Sequence, residues 1–115
     1  MNDEISVIRD TKFNDYQLTV ANHYLTEGME GIGDFEVGKS QERYDIITNA
    51  VNQAKGIMDE GEAMNVLSQA VMKDIHYDDS DFPTNTQWSA VYNLNKLSLD
   101  LCIDMDYENV YSFKL

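Results

Sequence analysis

The stretch Thr86–Asp104, TQWSAVY-NLNK-LSLDLCID, decides the fold of this chain. Apolar and polar residues alternate in its first and last parts, residues 86–92 and 97–104, and this is the period of a half-buried strand. Residues 93–96 separate the two parts and include two asparagines, which favour tight turns. The stretch therefore predicts a β-hairpin, and Val110 to Leu115 predicts a further strand.

Two amphipathic helices are predicted before the hairpin. Ser40 is the expected N-cap of the first helix, because a serine hydroxyl can accept a bond from a free backbone N–H. Gly56 is expected to end that helix in a left-handed conformation. Asp59 and Glu62 form a D-x-x-E variant of the capping box for the second helix, which fades at Asp74 to Tyr77. The apolar stripes at spacings of three and four are Tyr44, Ile47, Val51, Ala54 and Met58, then Ala63, Val66, Leu67, Ala70 and Val71.

The N-terminal part predicts two more strands and a long loop. Residues 5–9 and 16–21 have strand patterns, with residues 13–15 as the turn between them. Residues 26–39 hold four glycines and four acids, which indicates a loop. Strands grouped at both ends with helices between them favour an α+β fold, an antiparallel sheet with two helices packed on one face. We expect residues 1–115 to form a single domain.

The charge of the chain excludes several classes of function. Of its 115 residues, 21 are Asp or Glu and 8 are Lys or Arg, which gives a net charge of -13. Phosphate backbones and anionic membranes are bound by clustered Lys and Arg, so we expect no nucleic-acid or membrane partner. No segment has the length and apolar composition of a transmembrane helix or a signal peptide. A single cysteine cannot form an internal disulfide, and we expect a cytoplasmic protein.

The reactive side chains have ordinary structural explanations. Cys102 lies in a predicted strand beside Asp100 and Asp104, which would raise the pKa of a thiol, so we interpret it as a buried strand residue. The three Cys and His residues are far apart, so no zinc site is expected. Asp78, Asp79 and Asp81 could hold a calcium ion weakly but are interpreted as a solvated charge run, and no cofactor is implied. His76 is placed at the end of the second helix. The aromatic residues Trp88, Tyr92, Tyr107 and Tyr111 are interpreted as core packing of the sheet.

Arg43 stands out because it lies in the predicted first turn of a helix. A cation there is unfavourable by about 0.3–1 kcal/mol, so something should compensate. A carboxylate partner within the fold and a guanidinium with a function are the two explanations. Asn22, which precedes the glycine-rich loop, is the second candidate.

Three stretches together resemble a known family. They are Leu18-Thr-Val-Ala-Asn-His-Tyr-Leu25, Ser40-Gln-Glu-Arg-Tyr44, and Thr86-Gln-Trp-Ser-Ala-Val-Tyr-Asn-Leu94 with its return strand and the ending Tyr111-Ser-Phe-Lys-Leu115. Their order and spacing are similar to the C-terminal part of the choloylglycine hydrolase, penicillin V acylase and acyl-CoA:6-aminopenicillanic acid acyltransferase superfamily. These are linear-amide C–N hydrolases of the N-terminal-nucleophile fold, an αββα sandwich.

The resemblance implies roles for two residues. Asn22 matches the family's oxyanion-stabilising asparagine, and Arg43 matches the arginine that supports the nucleophile. The family's nucleophile is an N-terminal cysteine, whereas this chain begins Met1-Asn2-Asp3. We therefore expect a C-terminal fragment of an amidohydrolase or acyltransferase, inactive alone, that forms a homo-oligomer or joins a nucleophile-bearing partner chain.

Two other hypotheses remain. The chain could be a non-enzymatic acidic interaction module, steered by its charge to a basic partner. Least favoured is an enzyme with Cys102 as nucleophile.

Overall fold

The computed structural model describes residues 19–78 and 81–115, which form two helices followed by three strands. The elements are α1 (Ser40–Gln53), α2 (Glu60–Gln69), β1 (Trp88–Asn93), β2 (Ser98–Ile103) and β3 (Tyr111–Lys114). The strands form one antiparallel sheet in the order β1-β2-β3. The predicted α+β class is confirmed at this level. Neither helix in the described residues has the length and apolar character needed to cross a membrane.

The predicted hairpin is present, and its turn is held by an asparagine. Trp88 pairs with Ile103 at one end of β1 and β2, and Asn93 pairs with Ser98 at the other. The Asn93 side-chain oxygen accepts the backbone N–H groups of Asn95 (3.1 Å) and Lys96 (2.9 Å). An asparagine side chain that bonds the backbone ahead of it stabilises a turn locally. This is why the hairpin could be predicted from sequence.

In the described part of the chain, one face of the sheet packs against α2 alone, whereas the sequence predicted both helices on that face. α2 lies against β1, and α1 packs against α2. The Asn93 side-chain amide donates to Glu60 Oε1 of α2 (2.6 Å), which identifies the helix-facing side of β1. Ser89 and its pairing partner Cys102 share that side, since residues two apart on a strand lie on the same face. Both are buried, and Met64 of α2 joins Cys102 as the buried apolar side chains among the described residues.

The opposite face of the sheet is apolar and open. Pairing partners lie on the same side of a sheet, so the register places eight apolar residues there. Five large ones range from 42% exposed at Ile103 to 63% at Trp88. The interpretation of Trp88, Tyr92 and Tyr111 as core is therefore wrong for the described residues. The eight are Trp88, Ala90, Tyr92, Leu99, Leu101, Ile103, Tyr111 and Phe113.

Both ends of α1 differ from the prediction. Lys39, with φ of 51°, occupies the N-cap position and makes no side-chain capping bond, while Ser40 is already helical. At the other end, Lys55 donates to Asn52 O and Gly56 donates to Val51 O. These two bonds define a Schellman motif whose left-handed residue is Lys55 (φ 54°). Gly56 is left-handed as predicted (φ 75°), but Lys55, one position earlier, is the residue that ends the helix in this conformation.

The start of α2 agrees with the prediction and its end does not. Asp59 is the N-cap, and its Oδ1 accepts the backbone N–H of Glu62 at 2.7 Å. The helix ends at Gln69, so Val71 follows it and His76 lies too far along the chain to be at a helix end. Instead, Ile75 forms an isolated antiparallel bridge with Thr84.

The predicted N-terminal elements lie mostly outside the residues that the structure describes. Residues 5–9, the turn at 13–15 and residues 16–18 of the second strand lie outside the described residues. Residues 19–21 do not form a strand. The loop at 26–39 is present and is internally bonded, with Met29 N–H donating to Thr26 O at 3.0 Å.

Candidate functional site

The two residues singled out by sequence are in contact. Arg43 lies in the first turn of α1 and donates through Nη2 to Asn22 Oδ1 at 3.0 Å. Its Nε donates to the backbone oxygen of Gly38 at 2.8 Å. A guanidinium has no acceptor, so the Asn22 atom it touches must be the oxygen. The Asn22 amide nitrogen is therefore directed away from Arg43, and its two N–H groups have no protein acceptor among the described residues.

The backbone of Asn22 is fixed on both sides. Its N–H donates to Ser40 Oγ, and its carbonyl accepts the N–H of Asp34 at 2.8 Å. The Ser40 N–H in turn donates to the Asp34 carbonyl at 2.8 Å. The loop and the start of α1 thus hold the Asn22 side chain in one place before any ligand arrives.

Ser40 is the centre of this arrangement rather than a helix cap. Its hydroxyl bonds both the Asn22 N–H and His23 Nδ1, the latter at 2.8 Å. A serine beside a histidine is the pairing of a nucleophile with a base. However, Ser40 is fully buried (0% exposed), so a substrate cannot reach its oxygen. The pair is structural, and it replaces the capping role predicted for Ser40.

His23 is held by its neighbours. Its ring lies 5.1 Å from that of Phe35 and 5.2 Å, edge-on, from that of Tyr44. Its backbone bridges Gly33, where an added Cβ would lie 2.4 Å from the His23 Cα atom. Glycine is thus required at position 33 for the loop to pass this close.

Asp34 ties the loop to the segment after α2, and sequence reasoning missed it. Its carboxylate accepts the Tyr77 hydroxyl and, at 2.8 Å, the backbone N–H of Gly38. The Tyr77 hydrogen bond, then the Gly38 N–H, lowers the pKa of Asp34, and the same contact raises the pKa of Tyr77. Asp34 and Tyr77 are 43 residues apart, so no local sequence pattern predicts their contact.

The unfavourable positive charge of Arg43 at the start of α1 is compensated by hydrogen bonds to two neutral oxygens. The ion pair found in the described part of the chain joins Lys96 and Glu60, and no described carboxylate lies within 4 Å of Arg43. The positive charge of Arg43 acts on the Asp34 carboxylate from further away and contributes to its lowered pKa. Of the two explanations raised by the sequence, a directly paired carboxylate is therefore wrong for the described residues.

The arrangement can stabilise negative charge on oxygen but supplies no nucleophile. An outward amide backed by a cation suits a polarised carbonyl or an oxyanion. Cys102 is fully buried, and burial first, then Asp106 and Asp104, raises the pKa of its thiol. Cys102 as nucleophile is thereby contradicted. No group of three potential metal ligands occurs among the described residues.

Comparisons with known proteins give no match. No protein-family model matches the chain, and neither the curated proteins nor the solved structures include a significant relative.

Proposed function

We propose that this chain is the C-terminal part of a linear-amide C–N hydrolase or acyltransferase, and that it acts with a nucleophile-bearing chain. In this proposal Asn22 donates an amide N–H to the oxyanion of the tetrahedral intermediate. Arg43 orients Asn22 and supports the incoming nucleophile. The chain alone carries no turnover.

One observation carries the proposal, namely the contact between Arg43 Nη2 and Asn22 Oδ1. Two residues 21 positions apart, matched separately to the family's site, lie at hydrogen-bond distance. The contact occupies the Asn22 oxygen and leaves the amide N–H groups of this exposed residue available to donate, as an oxyanion hole requires. The single helix-covered sheet is also compatible with one helix layer and one sheet layer of an αββα sandwich.

The test is the co-expression of this chain with a nucleophile-bearing chain encoded beside it, followed by assay of a linear amide such as penicillin V. Asn22→Asp is the decisive variant, because its carboxylate keeps an oxygen for Arg43 and removes the N–H donor. Loss of one oxyanion donor costs about 10²–10³ in kcat, and we expect a fall of at least that size with the fold intact.

Asn52→Asp is the matched control. Asn52 is exposed on α1, and this substitution adds the same negative charge as Asn22→Asp. It should leave the rate unchanged. Equal rates for the wild type and the Asn22→Asp variant would refute the role of Asn22.

An acidic interaction module is the second candidate, favoured by the net charge of -13. In the described part, one ion pair accompanies this large excess of carboxylates. Such a surface attracts a basic partner through forces that salt screens. A protein captured at low salt and released at about 0.5 M salt would support this function, whereas capture unaffected by salt would exclude it.

A further inference from the structure

The open sheet face is the largest unexplained feature of the described residues. Its eight paired positions, from three strands, are all apolar, so no charged residue of the strands lies on this face. By contrast, the face packed on the helices carries Asp100 and Lys114. An exposed sheet face that is more apolar than the covered one calls for an occupant.

The size of the face suits an interface. Its five large exposed side chains present on the order of 500 Å² together, at the upper end of what a monomer leaves open. Two such faces packed together bury about 1,000 Å² from these side chains alone, which reaches the lower range of specific interfaces. Leu99 and Leu101, which are half-buried on the same face, add to this area.

The pattern along β1 also suits an opposed sheet. Trp88, Ala90 and Tyr92 alternate large, small and large on this face. The small Ala90 leaves space between two aromatic rings, and side chains of packed sheets interdigitate in this way. A two-fold arrangement lets each copy supply the same face, as in most homodimers.

We propose that, when no nucleophile-bearing chain is bound, a second copy of this chain covers the open face, so that two sheets pack together with helices outside. This inference goes beyond the amide chemistry. A nucleophile-bearing chain that completes an αββα sandwich would take the same face and displace the second copy. Because each copy carries a charge of -13, repulsion opposes pairing and salt screens that repulsion. The dimer therefore tightens as salt increases, opposite to binding of a basic partner.

The only tryptophan of the chain, Trp88, lies on this face and reports its coverage. The experiment measures Trp88 emission and mass by light scattering across a dilution series of the full chain from about 100 μM to about 1 μM. We expect a dimer mass with blue-shifted emission at high concentration, and both lost on dilution. A monomer mass at every concentration overturns the proposal. If emission is then blue-shifted, the chain covers its own face, and if it is red-shifted, the face stays open.

Variants locate the interface. Tyr92→Glu and Tyr111→Glu each place a charge on the open face at side chains that are 59% and 56% exposed in the single chain. Each should raise the dissociation constant at least tenfold with circular dichroism unchanged. Gln53→Glu adds the same charge at an exposed position of α1 and should not. A dimer that both face variants leave intact would place the interface elsewhere and overturn the proposal. The Asn22→Asp assay is independent of either result.

Discussion

At the scale of single residues, Tyr77 and Asp34 form the contact with the clearest pH signature. The hydrogen bond from Tyr77 lowers the pKa of Asp34, so the folded state holds that proton less tightly than the unfolded state. The resulting stability is present above the unfolded pKa of about 3.9 and is lost as the pH falls through the lower folded pKa.

Tyr77→Phe should therefore lower the free energy of unfolding at neutral pH. Below about pH 4 the variant should lose less stability than the wild type as the pH falls. The raised pKa of Tyr77 adds stability below about pH 10 that disappears at higher pH, and the variant should lack that loss too. Urea unfolding at several pH values measures both effects. Tyr24→Phe is the control, because Tyr24 is exposed and its hydroxyl has no partner among the described residues. Parallel curves for the two variants would contradict the assignment.

Lys55 provides a second residue-scale prediction. It is exposed and adopts a left-handed conformation (φ 54°) at the position where helices commonly place glycine. Lys55→Gly should raise the free energy of unfolding by about 0.5–1 kcal/mol, since glycine adopts this conformation without the steric cost. Lys55→Ala keeps that cost and should give no gain. A loss of stability with glycine would show that the Schellman motif is not formed.

Among single residues, those with local signals were predictable and those with distant partners were not. Asp59 and Asn93 bond backbone groups two or three positions away, so the sequence pattern was enough. Ser40 has the residue type of a cap, but its hydroxyl bonds Asn22 and His23 across the loop. Tertiary partners outweighed the local preference, as they do when a polar group is fully buried.

At the scale of elements, α2 depends on its N-cap. The Asp59 carboxylate accepts the Glu62 N–H, and the helix it starts is the one that packs on β1. Asp59→Ala should cost about 1 kcal/mol of stability, within the range of about 0.5–2 kcal/mol for lost caps. Asp59→Asn keeps an accepting oxygen and should cost much less. Urea unfolding compares the two, and equal midpoints would refute the capping role.

Element boundaries show where the sequence was sufficient. α2 begins directly after Asp59, the cap residue that predicted it. The hairpin is present as predicted, but β1 begins at Trp88 rather than Thr86, and Asn93 belongs to β1 rather than to the turn. α2 ends earlier than its apolar pattern, because Ile75 leaves the helix to bridge Thr84. Apolar periodicity alone cannot distinguish a continuing helix from an extended segment that buries the same side chains.

At the scale of the whole molecule, the alternation of the hairpin predicted strands but not which face would be covered. Both faces of β1 and β2 contain apolar side chains, and α2 covers the side with Ser89 and Cys102. The aromatic side remains open in the described residues. An open apolar face suits an interface, and the nucleophile-bearing chain and the second copy are alternative proposals for its occupant.

The most direct test of the central claim, that this chain completes an amidohydrolase, is to sequence the DNA immediately upstream of the Met1 codon. The proposed function predicts a reading frame that begins Met-Cys, with arginine and aspartate codons soon after. Its product would supply the nucleophile that the described residues lack. The absence of any such frame would contradict the account, and the function would then be sought in binding rather than in amide hydrolysis.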